Sequence, residues 1–178
     1  MTDDPAMFEP KERLEVSLRL PMVRLTLRPW EASSLRHGFG NKPLVEHKGQ
    51  GMFAELAIRS MVEAEGWEAR WVCAYGAKAN GPRYLKNWCD DSLDRQKEVP
   101  LDAEREVLLA KIAKQNHNSY SGCWEVLAWK DDRTLFIEAK HDKKDHIRAT
   151  QLEWRWAALR GGLKSDDFVV AQWEFDSH

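Results

Sequence analysis

The chain has 178 residues, of which 27 are Lys or Arg and 29 are Asp or Glu, so its formal net charge is −2. This near balance excludes a protein that is basic over its whole surface, and any contact with nucleic acid must therefore come from a local patch. The length is sufficient for one domain that buries roughly 70% of its unfolded surface without a disulfide or metal staple. The three cysteines form no C-x-x-C pair, which indicates reduced thiols.

Residues 1–50 are predicted to form a β-strand extension followed by a linker. The first ten residues, MTDDPAMFEP, contain no apolar signal region, and no apolar run in the chain reaches about 18 residues, so we expect a cytoplasmic protein with no membrane partner. Residues 13–28 alternate apolar and polar side chains with Pro21 at a break, which predicts two strands or one bent strand. These strands would extend a sheet or serve as a dimerisation arm. Residues 30–51 are rich in glycine and are interpreted as a linker or an ordered loop.

A helix and a strand are predicted next. Apolar residues recur at helical spacing from Met52, and Gly66 is placed to end the helix. Glu55 lies at the edge of the apolar stripe, where an ion pair with Arg59 and a functional role are both open interpretations. Residues 67–75, WEARWVCAY, follow as a strand.

The segment from about residue 76 to 116 is interpreted as an insertion. Its first part mixes a Gly-Pro pair with scattered charges, which is typical of a solvated loop. Asp102 is then placed to cap a helix whose buried side is predicted to hold Val107, Leu108 and Ile112.

Residues 121–140, SGCWEVLAWKDDRTLFIEAK, are predicted to form a β-hairpin around a charged turn at 130–133. Because side chains two apart share a face of a strand, Glu138 and Lys140 project together from the second strand. Glu125 lies in the first strand of the same hairpin. Neighbouring acids beside a base indicate a metal site with a basic partner, and the alternative is a surface ion pair between Glu138 and Lys140.

The chain is predicted to close with a polar loop at 141–147, a helix at 148–160 and a strand at 168–175. The histidines of the loop are interpreted as solvated, because no third soft ligand accompanies them. The helix has two adjoining stripes of predicted core residues, which are Leu152, Trp156 and Leu159, and Gln151, Trp154 and Ala158.

This succession of elements, with Glu125 and, after twelve intervening residues, Glu138-Ala139-Lys140, resembles the PD-(D/E)XK nuclease superfamily. Within it, the pattern is similar to VRR-NUC domains, in which an E-x-K strand is followed by a charged loop and a helix that opens with glutamine, here Gln151. The resemblance implies an α/β fold of the restriction-endonuclease type. That fold has an αβββαβ core, with a mixed central sheet flanked by helices.

The core would span residues 51–178 and carry the inserted loop and helix at about 76–116, preceded by the N-terminal β extension. The resemblance implies hydrolysis of phosphodiester bonds with Mg²⁺ or Mn²⁺, in DNA above all, for repair, restriction, defence or as a toxin. The metal ligands that it implies are Glu55, Glu125, Glu138 and the carbonyl of Ala139.

The resemblance also assigns roles around the metal. Lys140 would orient or deprotonate the attacking water, or stabilise phosphate charge, and Gln151 would hold that water or Lys140 through its amide. The expected contacts to backbone phosphates, which would act without reading sequence, are Lys143, Lys144, His146 and Arg148.

The chain departs from the family pattern at Trp124-Glu125, where the family has Pro-Asp. Glutamate still offers oxygen ligands to Mg²⁺. The alternative function is a catalytically inactive nucleic-acid-binding or protein-interaction module on the same fold, and a nuclease that acts on RNA is a third. A homodimer is expected because cutting both strands of a duplex often needs two sites, and a toxin would also need an inhibitor or immunity partner.

Overall fold

The structure, a computed structural model, describes residues 12–15, 19–75 and 81–177, and the side chains of 20–75 and 81–177. In these ranges there are three α-helices, which are α1 Ala54–Ala64, α2 Ala103–Gln115 and α3 Ala149–Arg160. The strands are β1 Glu12–Glu15, β2 Arg19–Pro29, β3 Leu44–His47, β4 Gln50–Phe53, β5 Glu68–Cys73, β6 Arg83–Leu85, β7 Val126–Lys130, β8 Arg133–His141 and β9 Phe168–Phe175. Two turns of 3₁₀ helix precede α2 and β9, at Leu93–Arg95 and Ser165–Asp167.

The nine strands of the described ranges belong to one sheet, whose path runs β4-β3-β2-β9-β8-β7-β5-β6, with β1 paired to the start of β2. Strand β9 is parallel to its two neighbours, β2 and β8, and the other described pairings are antiparallel. Neighbouring parallel strands need a long crossover between them, and α3 supplies it between β8 and β9. The predicted mixed α/β class is therefore confirmed.

Helices cover both faces of the sheet. Helix α1 packs on one face, where Ala57 and Ile58 belong to the same apolar cluster as Ile137 of β8. The other face carries α2 and α3, whose fully buried core residues are Leu109, Ile112, Ala113, Trp154, Ala157 and Ala158. Phe136 belongs to this second cluster, and since side chains alternate along a strand, Glu138 and Lys140 start from the face that α3 covers. The fold thus has three layers, with the sheet between helices.

The N-terminal strands extend the chain's own sheet. A break between two strands was predicted at Pro21. Pro21 instead pairs with Arg13 inside the β1–β2 ladder, so the strands are not divided there. The prediction of a linker over 30–51 is wrong in part, since β3 and β4 form a hairpin there. Lys48 and Gly49 both have positive φ, 52° and 78°, which is the geometry of a two-residue hairpin turn. The predicted homodimer stays a prediction.

Two helix faces differ from the prediction. Asp102 does cap α2, since its side chain accepts a 2.9 Å hydrogen bond from the Arg105 N–H. Val107, however, is 67% exposed, and Trp156 of α3 is 43% exposed. Residues two apart in a helix point in nearly opposite directions, about 200° apart. Because Leu109 is buried, Val107 faces solvent, and because Trp154 is buried, Trp156 faces solvent.

The first part of the predicted insertion, which was expected to be a solvated loop, is partly regular. Its described part contains β6 and the first 3₁₀ turn, while residues 76–80 lie outside the described ranges. All three cysteines are free thiols, as predicted, with Cys73 and Cys123 buried and Cys89 exposed. None of the helices among the described residues is long and apolar enough to cross a membrane.

Candidate active site

The β7–β8 hairpin brings two of the predicted acids together. Lys130 pairs with Arg133 at the turn, as the sequence predicted, and Val126 pairs with Ile137. This register puts Glu125, the residue before β7, opposite Glu138. The Glu125 N–H donates a 3.3 Å hydrogen bond to Oε2 of Glu138. The backbone of one acid therefore holds the side chain of the other.

Glu138 is the buried centre of a polar network. It has no exposed surface, and its Oε1 lies 2.8 Å from Nζ of Lys140, which is also buried. The two residues share a face of β8, as predicted, but the alternative of a surface ion pair is wrong. The same Oε1 accepts a hydrogen bond from the side-chain amide of Gln151. Gln151 was expected to hold water or Lys140, and in the structure it holds Glu138.

The first turn of α3 is fixed to the entry of β7. Gln151 accepts a 2.9 Å hydrogen bond on its Oε1 from the Arg148 N–H, so its amide is held at both ends. The indole N–H of Trp124 donates a 3.0 Å hydrogen bond to the Gln151 carbonyl. Gly122 has a φ of +79°, and a Cβ there would lie 2.0 Å from the carbonyl oxygen of Thr150. Only glycine permits this close approach of the two backbones.

The third acid, Glu55, is buried in the first turn of α1 and pairs with a lysine from outside the predicted core. Lys42 forms an ion pair and hydrogen bond with Oε1 of Glu55, and its ammonium lies 5.8 Å from the centre of the Phe53 ring. The predicted alternative, a pair between Glu55 and Arg59, is wrong, because Arg59 pairs with Glu63 at 2.6 Å. Glu55 thus pairs with a residue outside its own helix, and its charge acts on Glu125.

One cavity of about 520 Å³ gathers most of the predicted residues. Its lining includes four candidates from the metal site and three from the expected phosphate contacts, which are Glu55, Glu125, Ala139, Lys140, Lys144, His146 and Arg148. Lys42 lines it as well. Glu138 and Gln151 do not line this cavity, and Lys143 is exposed outside it. We call this space the acidic cavity.

Burial and neighbouring negative charge oppose the ionisation of the two hairpin acids, Glu125 and Glu138. Burial raises the pKa of Glu125 well above its usual range, and the charges of Glu138 and Glu55 raise it further against the opposing effect of Lys42 and Lys140. Burial also raises the pKa of Glu138, although the charge and hydrogen bond of Lys140 counteract this. Burial alone would lower the pKa of Lys42, but the charge of Glu55, with those of Glu125 and Glu138, outweighs it and raises this pKa.

The acids have capacity for a cation. Oε2 of Glu55 and Oε2 of Glu125 are both buried and have no hydrogen-bond partner among the described residues. Oε2 of Glu138 accepts one bond, and a carboxylate oxygen can accept two. Oxygen donors of this kind suit Mg²⁺, which keeps several waters. No three His, Cys, Asp or Glu side chains in the described ranges are grouped to enclose a metal ion, so the Ala139 carbonyl and water would complete its shell.

No pattern in the sequence singles out Lys42, a residue that the structure adds to the site. It lies in a glycine-rich loop without periodicity, and only the fold carries it to Glu55. His141, which was predicted to be a solvated loop histidine, is the last residue of β8 and stacks on Trp173 with ring centres 4.1 Å apart, so it has a packing role.

Comparisons of the chain with protein-family models, with curated proteins and with solved structures find no match.

Proposed function

We propose that the protein is a Mg²⁺- or Mn²⁺-dependent nuclease that hydrolyses phosphodiester bonds, with DNA as its substrate. The observation that carries the proposal is the acidic cavity, in which buried carboxylate oxygens of Glu55 and Glu125 without partners lie beside Lys140. A buried carboxylate oxygen without a partner costs stability, and such groups cluster at functional sites. A divalent cation would give both of these oxygens a partner.

The arrangement of the fold supports the same proposal. Helix α1, strands β5, β7 and β8, helix α3 and strand β9 follow one another in the order that the resemblance to PD-(D/E)XK nucleases implies, with α2 in an insertion between β5 and β7. In the sheet, β5, β7, β8 and β9 are consecutive neighbours. The acids then come from α1, from the entry of β7 and from β8, as the resemblance implies.

The site residues would have separate roles in binding the metal and in orienting the attacking water. Glu125, Glu55 and the Ala139 carbonyl would hold the metal ion together with water, whereas Glu138, which was expected as a ligand but does not line the cavity, would hold Lys140 in place. When bound, the ion would supply Lewis acidity and a lowered pKa for a bound water. Lys140 would orient the attacking water through its ammonium, because Glu138 fixes Nζ at the edge of the cavity.

Other residues would position these groups or the substrate. Gln151 holds Glu138 and therefore sets the position of the Lys140 ammonium indirectly. Lys144, His146 and Arg148 line the same cavity and would bind backbone phosphates on either side of the scissile bond. Because phosphate contacts carry no sequence information, we expect cleavage with little sequence preference.

Cleavage of plasmid and of labelled DNA strands tests the proposal. The purified chain is incubated with Mg²⁺, with Mn²⁺ and with EDTA, beside the Glu138→Ala and Lys140→Ala variants and an Arg83→Ala control on β6, a strand that contributes no residue to the lining of the acidic cavity. We expect cleavage that requires metal, is lost in both site variants and is retained in the control. Equal cleavage by wild type and site variants would mean a contaminating nuclease and would remove the basis of the proposal. Binding of DNA without cleavage under every metal condition would favour the inactive binding module.

A further inference from the structure

A second cavity of about 510 Å³ lies next to the acidic cavity. The two share three lining residues, Lys42, Glu125 and Arg148, so they meet at the proposed metal site. The lining of the second cavity also contains the rings of Phe39, Trp71 and Tyr75, which the acidic cavity lacks. A volume of this size is typical of small-ligand sites and holds a nucleotide. We call it the aromatic cavity.

Tyr75 is the exposed ring of this cavity. It is 71% exposed, although it follows directly on the buried strand β5. Its ring contacts that of Phe39, with centres 5.8 Å apart and planes at 82°. Tyr75 therefore presents a solvent-exposed aromatic surface within the lining of this cavity.

Phe39 gives the exposed ring a rigid support. It contacts the buried rings of Phe53 and Trp71 at 5.5 and 6.0 Å, and that of Trp88 at 5.6 Å. The loop that carries Phe39 is tied to the insertion, because the indole N–H of Trp88 donates a 3.0 Å hydrogen bond to the Arg36 carbonyl. The aromatic cavity is therefore built from fixed parts, and one open face remains on Tyr75.

We propose that the aromatic cavity binds an unpaired base next to the scissile phosphate, stacked on Tyr75, so that the substrate is single-stranded or locally unpaired DNA. This inference rests on the proposed nuclease function. The cations Lys42 and Arg148 lie at the junction of the two cavities, where the phosphate that links the stacked nucleotide to the next one would lie. Aromatic stacking accepts any of the four bases, which agrees with a site that contacts phosphates without reading sequence.

A paired base cannot use such a platform. In a duplex both faces of each base are already stacked on neighbours, so only an end, a flap or a single strand presents a free face. A DNA strand that runs from Lys144 and His146 in the acidic cavity to Tyr75 in the aromatic cavity would pass Glu125, which lines both cavities. Its phosphate would then lie at the proposed metal site. Stacking on Tyr75 thus requires unpaired DNA, whereas the acidic cavity alone does not distinguish paired from unpaired DNA.

Binding without cleavage tests the inference. The affinity of the full chain for a fluorescein-labelled single strand of mixed sequence is measured in EDTA, for wild type, Tyr75→Ala, Tyr75→Phe and Trp156→Ala. Since a stacked base is lost, Tyr75→Ala should weaken binding by about 5- to 150-fold, while Tyr75→Phe, which keeps the ring, should bind like wild type. Trp156→Ala removes another exposed ring, on α3 and outside the lining of both cavities, and should have no effect.

A scan of abasic sites makes the test specific. When the abasic site lies at the position that stacks on Tyr75, wild type and Tyr75→Ala should bind the strand equally, and at other positions the difference should return. Equal binding by wild type and Tyr75→Ala to every strand, or tighter binding of wild type to duplex than to single strand, would overturn the inference. The nuclease proposal would then still be decided by the metal-dependent cleavage assay, since the binding experiment contains no metal and measures no cleavage.

Discussion

Replacing Lys140 by methionine removes the cation next to the fully buried carboxylate of Glu138 while keeping most of the side-chain volume. Removing one partner of a buried ion pair typically costs about 3 to 5 kcal/mol, because the other charge stays buried without compensation. Glu138 keeps its hydrogen bonds from the Gln151 amide and the Glu125 N–H, so we expect the lower end, about 3 kcal/mol. For a chain of this size, this corresponds to a fall in Tm of roughly 6 to 12 °C.

The loss should depend on pH in a definite direction. Burial raises the pKa of Glu138 in the folded protein, and Lys140 counteracts that rise, so the variant has a higher folded pKa than wild type. A carboxyl group whose folded pKa is raised costs stability as pH increases above its unfolded pKa of about 4.3 and up to its folded pKa. The stability difference between wild type and Lys140→Met should therefore be smallest near about pH 5 and grow towards about pH 8.

Chemical denaturation in EDTA at several pH values measures this difference. The control is Arg83→Met, which breaks the exposed Arg83–Asp94 pair of 2.7 Å and should cost less than about 1 kcal/mol at every pH. In a Glu138→Gln background, Lys140→Met should cost much less than in wild type, since the buried charge that Lys140 compensates is absent. A loss that is independent of pH, or one that shrinks as pH rises, would refute the interpretation of Glu138 as a buried carboxylate held by Lys140.

Three further variants test other parts of the site. Glu125→Gln should raise the Tm of the metal-free protein at about pH 8, because burial and like charges raise the pKa of this carboxyl and its charged form costs stability there; an unchanged or lower Tm would contradict this. Gly122→Ala should destabilise the fold by about 3 kcal/mol or more in urea unfolding, since its Cβ would lie 2.0 Å from the Thr150 carbonyl oxygen, and a neutral effect would mean that the two backbones are not so close. Gln151→Leu should cost about 1.5 to 3 kcal/mol by the same measurement, because it removes a donor to buried Glu138, and its cost should fall in a Glu138→Leu background.

The hairpin and the helix that follows it could be predicted because their signals are local. Two short apolar runs on either side of a charged turn identify β7 and β8, and the period of two along a strand puts Glu138 and Lys140 on one face. Helical spacing located α1 and α3 with an error of one or two residues at their ends. The contact between Glu125 and Glu138 then follows from the register of a short hairpin.

The rest could not be predicted because it depends on contacts between distant segments. Lys42 and Phe39 lie in a loop whose sequence has no periodicity, and they reach the site only through the folded path of β3 and β4. The glycines of that loop suggested a linker, although the positive φ of Lys48 and Gly49 makes a tight hairpin. The buried faces of α2 and α3 were ambiguous because both helices carry apolar residues on more than one side, as Trp156 illustrates.

The most direct measurement of the central claim is single-turnover cleavage of a labelled DNA strand by the purified chain with Mg²⁺, compared with Glu125→Gln. Glu125 is the residue at which the chain departs from the nuclease pattern, and its Oε2 lies buried without a hydrogen-bond partner among the described residues. The account predicts cleavage by wild type that EDTA abolishes, and a rate that is at least about 100-fold lower in the variant. Metal-dependent cleavage at the same rate in both proteins, or no cleavage by wild type with Mg²⁺ or Mn²⁺, would contradict it.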